Sequence, residues 1–142
     1  MAMLDKSFQQ RLWEWFLHTF QEHFPELIRN HRERNHRFLE EALELVQACG
    51  MDKQEIMSLV HEVYNRPKGE IFKEAGGVLT TLTILCSDHE IDVNEAAEAE
   101  LTRNYQIIDK LRQKQPKRSS MKLHPGVVDK VSWSPFSDPL GR

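Results

Sequence analysis

The side chains in this sequence best suited to chemistry are carboxylates spaced for helix faces. Glu40, Glu41 and Glu44 fall within Glu40-Glu41-Ala42-Leu43-Glu44. Glu70 and Glu74 open a second stripe that continues through Gly77 and Thr81. Residues three and four apart on a helix share a face, and like charges there repel by about 0.2–0.5 kcal/mol per pair. Two such stripes brought together cost more, unless a divalent cation lies between them. Mg²⁺ takes oxygen ligands and keeps coordination positions for substrate phosphates. The pattern therefore points to metal-dependent phosphate chemistry. For the first stripe the competing reading is a solvated helix face paired locally with Arg34 and Arg37. Gly76-Gly77 sits inside the second stripe's helix, where each glycine costs about 1 kcal/mol relative to alanine. The pair reads either as a close helix–helix approach or as backbone room for a nucleotide or a metal-bound phosphate.

The elements that must carry these residues are helical nearly throughout. Leu12, Trp13, Phe16, Leu17 and Phe20 recur at helical spacing and predict a first helix over 7–23. Pro25 suits the first turn of a second helix, which the pattern extends from 26 to 48. The polar stretch 32–37 is the place where that helix would break in two. Gly50 is a natural C-terminal stop. Asp52-Lys53-Gln54-Glu55 reads as a capping box opening a third helix over 53–64. After the turn Asn65-Arg66-Pro67-Lys68-Gly69 a fourth helix covers 70–89. It is apolar on most sides, so it is expected to be central, with Glu74 buried among Phe72, Ala75 and Val78. Asp92-Val93-Asn94-Glu95 opens a fifth helix reaching 114, with Ala97, Leu101, Tyr105, Ile108 and Leu111 in one stripe. From Pro116 the composition turns to proline and serine, and 116–142 reads as an extended tail whose Trp133 and Phe136 are suited to docking.

Composition excludes several classes. The 142 residues suit one domain, placed at 1–115, and carry a formal charge of −3, so nucleic acid is not an expected partner. No apolar run is long enough to span a membrane, and the N-terminus lacks a secretory apolar segment. Cys49 and Cys86 are far apart, form no C-x-x-C motif and read as two buried small side chains in a reducing cytoplasm. The seven histidines show no metal-ligand spacing and read as surface or packing residues. Trp13 fits the core stripe of the first helix, which leaves Trp15 for a site mouth or a subunit contact. Lys114, Lys117, Arg118 and Lys122 read as a solvated helix end, with phosphate contact from a neighbouring subunit as the alternative.

Arg37-Phe38-Leu39-Glu40-Glu41-Ala42-Leu43-Glu44-Leu45 resembles the first acidic motif, E-x-x-E, of the all-α MazG-like nucleoside triphosphate pyrophosphohydrolases. Glu41 and Glu44 match the two glutamates, and Glu40 a further one that often precedes them. Lys73-Glu74-Ala75-Gly76-Gly77-Val78-Leu79 is similar to the second motif, E-x-x-D, with Glu74 at the glutamate and Gly77 where the aspartate would stand. Ile91-Asp92-Val93-Asn94-Glu95-Ala96 resembles the family's turn into its next helix, and Arg103-Asn104 its following polar segment. The similarity covers about 34–114.

The resemblance implies an all-α bundle of about five helices, with the first helix added to the core. It implies Mg²⁺-dependent hydrolysis of a nucleoside triphosphate to the monophosphate and pyrophosphate, with Mn²⁺ as a substitute metal. Glu41, Glu44, Glu70 and Glu74 would hold the metal. Glu40 and Glu41 would serve catalysis by completing the shell or orienting water. Lys68, Arg103 and Lys110 would bind phosphates. A homodimer or homotetramer follows from the same likeness, with the first helix and the tail as candidate contacts. Gly77 leaves three alternatives: Glu70 or Glu40 replaces the aspartate, fewer metals bind, or the scaffold keeps nucleotide binding or helical interaction without catalysis.

Overall fold

The computed structural model describes residues 6–119, and among them every regular element is an α-helix. There are seven: α1 (Phe8–Phe20), α2 (Pro25–Ile28), α3 (His31–Ala48), α4 (Lys53–Tyr64), α5 (Ile71–Asp88), α6 (Val93–Gln106) and α7 (Ile108–Ser119). The all-α expectation holds, with seven helices in place of five. None of them is long and apolar enough to cross a membrane. The chain divides into two compact units, 1–39 with 107–142, and 40–106.

The first unit is built on aromatic packing. Ser7 and Gln10 form a reciprocal capping box at the start of α1: Ser7 Oγ accepts from the Gln10 N–H at 3.2 Å, and Gln10 Oε1 from the Ser7 N–H at 2.9 Å. Trp13 and Phe16 stack at 5.4 Å, and Phe20 meets the edge of Trp15 at 6.1 Å. Trp15, only 8% exposed, is buried with Phe20 and Leu27, while Trp13 is half-buried. This reverses the expected roles of the two tryptophans. The helical period puts the two on different faces of α1, with Trp13 on the apolar stripe, and in the fold the face of Trp15 is the one covered. The packing of α7 on α1 is fixed by Arg112, whose Nε donates to the Thr19 carbonyl at 2.7 Å and Nη2 to the His18 carbonyl at 3.1 Å. These are carbonyls of the last turn of α1, which have no partner within their own helix.

The stretch expected as one helix over 26–48 is two. The break falls at Arg29-Asn30, not at 32–37, because the Asn30 side chain caps α3 by accepting the Glu33 N–H at 3.0 Å. Arg34 closes the end of α2, donating to the Leu27 carbonyl at 2.8 Å with its guanidinium over the Phe16 ring. Burial there lowers its pKa from the ordinary arginine value, and the neighbouring Glu33 charge opposes the shift. Arg37 pairs with the buried Glu33 at 3.1 Å.

In the second unit α3 ends in a Schellman closure. The Gly50 N–H reaches the Gln47 carbonyl at 2.9 Å and the Met51 N–H the Val46 carbonyl at 3.0 Å, with Gly50 at φ +91°. α5 ends the same way, with Glu90 at φ 57° in the position glycine usually takes. Asp52 accepts the Glu55 N–H at 2.8 Å to cap α4. Asp92 accepts those of Asn94 and Glu95 at 2.8 and 3.0 Å to start α6. The predicted helix over 93–114 breaks at Ile107, between α6 and α7. The predicted tail begins later than 116: α7 continues through Pro116 to Ser119, and the rest of the tail, with Trp133 and Phe136, lies outside the described residues.

α5 is not central within its own chain. Only Cys86 is buried along it, and α4 buries nothing. α5 packs on α6 through its C-terminal half, where Leu82 and Leu85 are half-buried; its N-terminal half, 71–81, is exposed throughout. An all-round apolar helix specifies that its faces be covered, not which molecule covers them. Cys49 is exposed, against the expectation of two buried cysteines.

Candidate functional site

The acidic candidates lie in the second unit. Glu40, Glu41 and Glu44 project from the part of α3 that belongs to it, and all three are exposed. Glu70 is the residue before α5, in extended conformation, and its side chain makes no capping bond. Glu74 lies in the first turn, where the N-terminal end of the helix dipole favours a carboxylate. It is exposed, which corrects the expectation of a carboxylate buried among Phe72, Ala75 and Val78. Its side chain folds back over Gly69. A Cβ at that glycine would overlap the Glu74 Oε1 and lie 2.9 Å from its Cδ. Gly69 thus permits the placement of this carboxylate.

Arg103 is the phosphate-binding candidate with a defined partner. Its Nε donates to Glu100 Oε2 at 3.0 Å, and Nη2 meets the other carboxylate oxygen. The hydrogen bond and the charge of Glu100 raise the arginine's pKa above its ordinary value, and Glu41 adds to the effect. Glu41 on α3 and Arg103 on α6 therefore stand within electrostatic reach of each other. Glu100 escaped the sequence reading. Its signal was the i, i+3 spacing to Arg103 on a predicted helix. A phosphate at Arg103 would have to compete with Glu100. Lys68 is exposed in the loop before α5, and Lys110 is exposed on α7, in the first unit.

Charge is divided sharply between the units. Residues 40–106 hold 14 Asp and Glu against five Lys and Arg, a formal −9 in a chain whose total is −3. Such a unit attracts cations and repels anionic ligands unless cations screen it. The donor chemistry fits a hard metal ion, since carboxylate oxygens are its usual ligands. The geometry of one chain does not complete a site: among the described residues, no three His, Cys, Asp or Glu side chains are grouped to hold a metal. Gly76 and Gly77 have open space where a Cβ would stand. No packing within the chain requires either glycine.

Comparison of the chain with protein-family models, with curated proteins and with solved structures returns no match.

Proposed function

We propose that the protein is an Mg²⁺-dependent nucleoside triphosphate pyrophosphohydrolase of the MazG-like kind, working in the cytoplasm as a homodimer or homotetramer. The observation that carries this reading is the pair of exposed carboxylate stripes, Glu40/Glu41/Glu44 and Glu70/Glu74, within one strongly acidic unit. A triphosphate is itself an anion, so a unit of this charge takes it up only together with cations. Glu41, Glu44, Glu70 and Glu74 are the ligand candidates. Mg²⁺, or Mn²⁺ in its place, supplies charge neutralisation at the phosphates and a more acidic bound water. Among the described residues no three of these carboxylates are grouped within one chain. Glu40 and Glu41 would orient water. Arg103, once released from Glu100, offers a planar donor fork to a phosphate. Lys68 is a point charge for the outer phosphates.

Gly77 and the ungrouped carboxylates favour a second reading, a nucleotide-binding or helical interaction module without catalysis. Pyrophosphate release from a panel of nucleoside triphosphates, measured with and without Mg²⁺, separates the two. The enzyme requires metal-dependent turnover. Loss of one ligand removes several kcal/mol of charge stabilisation, so Glu41→Gln and Glu74→Gln should each lose about 100-fold or more in kcat/KM. A chain with no turnover whose melting temperature still rises with Mg²⁺ and nucleotide together is the binding module. A chain showing neither response is neither.

A further inference from the structure

α5 carries an apolar seam that stays bare among the described residues. Phe72, Gly76, Leu79 and Thr83 follow one another at spacings of four, three and four, which puts them on one side of the helix. Ile71, Ala75 and Val78 form the adjoining row. Phe72 is 94% exposed, Ile71 86%, Leu79 61% and Val78 41%. The same adjoining row continues into Leu82 and Leu85, which together with Cys86 turn toward α6. Half of the row is therefore covered within the chain and half is not.

Two further observations show what this face is built for. Thr80, Thr83 and Ser87, on and beside the seam, each donate their hydroxyl to the carbonyl one turn back, at 2.7–3.0 Å. Their polar needs are met inside the helix, so the face can be dried without stranding a hydroxyl. Gly76 weakens an exposed helix and meets no atom of its own chain. A small residue between Phe72 and Leu79 lets another helix backbone approach closely.

We infer that a second copy of this chain docks along this seam, α5 against α5, crossing near Gly76. The area suffices. With on the order of 200 Å² for a fully exposed large side chain, Ile71, Phe72, Val78 and Leu79 of two copies bury about 1,100 Å², past the roughly 1,000 Å² that a specific interface needs. The interface belongs to the acidic unit, so two like-charged units meet. Added salt screens their repulsion and tightens the pair. Docking of this face on a basic surface, including the rest of another copy, loosens with salt instead. The placement differs from the first helix and the tail, and it stands without the metal reading.

The test is sedimentation equilibrium on the full chain in EDTA, so that failure of the catalytic reading leaves it intact. A dimer is expected, with a dissociation constant that falls as NaCl rises from about 0.05 to 0.5 M. Phe72→Glu and Gly76→Leu replace side chains that touch little in the single chain. Each should raise the dissociation constant at least about tenfold while helical circular dichroism stays unchanged. Met57→Ala, at an exposed apolar residue of α4 that is no part of the seam, should leave it unchanged. A monomer at all salt concentrations, a dimer indifferent to both seam variants, or one that loosens with salt overturns the inference.

Discussion

The two units solve the problem of apolar surface differently. In the first, α1, α2 and α7 cover one another, and Trp15, Thr19, Phe20, Leu27, Glu33 and Gln115 are all buried. In the second, from 40 to 106, only Cys86 and Leu101 are. Both are rich in apolar residues at helical spacing, so the difference is not one of supply. The first unit joins segments some 93 residues apart, with Arg112 tying α7 to α1. The second relies on neighbours in sequence joined by short turns, and its α4 and the upper half of α5 stay bare. Cohesion in the first unit comes from within, whereas the second leaves most of its apolar surface exposed among the described residues.

The largest test of that contrast is a pair of equal deletions. Leu27 is 2% exposed, and Leu27→Ala should cost about 2–5 kcal/mol, the range for buried leucines. Leu79→Ala, in dilute protein where copies are apart, should change stability by no more than about 0.5 kcal/mol, as for other surface sites. Urea unfolding read by tryptophan emission follows the first unit, which holds Trp13 and Trp15; no tryptophan lies in 40–106. Circular dichroism follows both. Equal costs for the two leucines would erase the distinction between the units.

A smaller effect is expected at the tie itself. Arg112→Ala removes two charged hydrogen bonds to the Thr19 and His18 carbonyls and should cost about 1.5–3 kcal/mol per bond at most, less where water replaces them. Arg112→Lys should recover only part, because one ammonium does not reproduce a guanidinium fork spanning two carbonyls. If both variants unfold at the wild-type urea midpoint, the cohesion of the first unit comes from its aromatic packing alone.

The same contrast explains what could be read from residues. Helical periodicity gave the all-α class, and α4 runs over 53–64 as its capping signal indicates. Local chemistry with a specific side chain was legible: Asp52, Asp92 and Gly50 all act where their types suggest. Breaks set by weaker preferences were not. Asn30 and Ile107 interrupt stretches whose apolar period runs on undisturbed. The burial of Trp15 over Trp13 is set by tertiary packing, which period cannot reveal. The acidic stripes were visible as spacing, but their surroundings were not. The apolar character that predicted a buried Glu74 belongs to a helix whose N-terminal half is exposed among the described residues. Glu100 was hidden because a surface pair at i, i+3 looks like any other.

The glycine pair provides the finest test, because its two members lie about 100° apart on α5. Gly77 continues the stripe of Glu70 and Glu74, whereas Gly76 sits between Phe72 and Leu79. Both have open space in the single chain, so alanine at either should add about 1 kcal/mol of helix stability when the copies are apart. Raising the protein concentration should separate them. A methyl at Gly77 faces the acidic stripe and keeps its gain. A methyl at Gly76 enters the crossing and forfeits the gain as the pair forms. Thermal melts of Gly76→Ala and Gly77→Ala across a range of concentrations read this directly. Parallel behaviour of the two variants would mean that the seam and the acidic stripe are not distinct faces. A loss of stability at Gly77 in dilute protein would mean that the acidic stripe is already covered in the single chain.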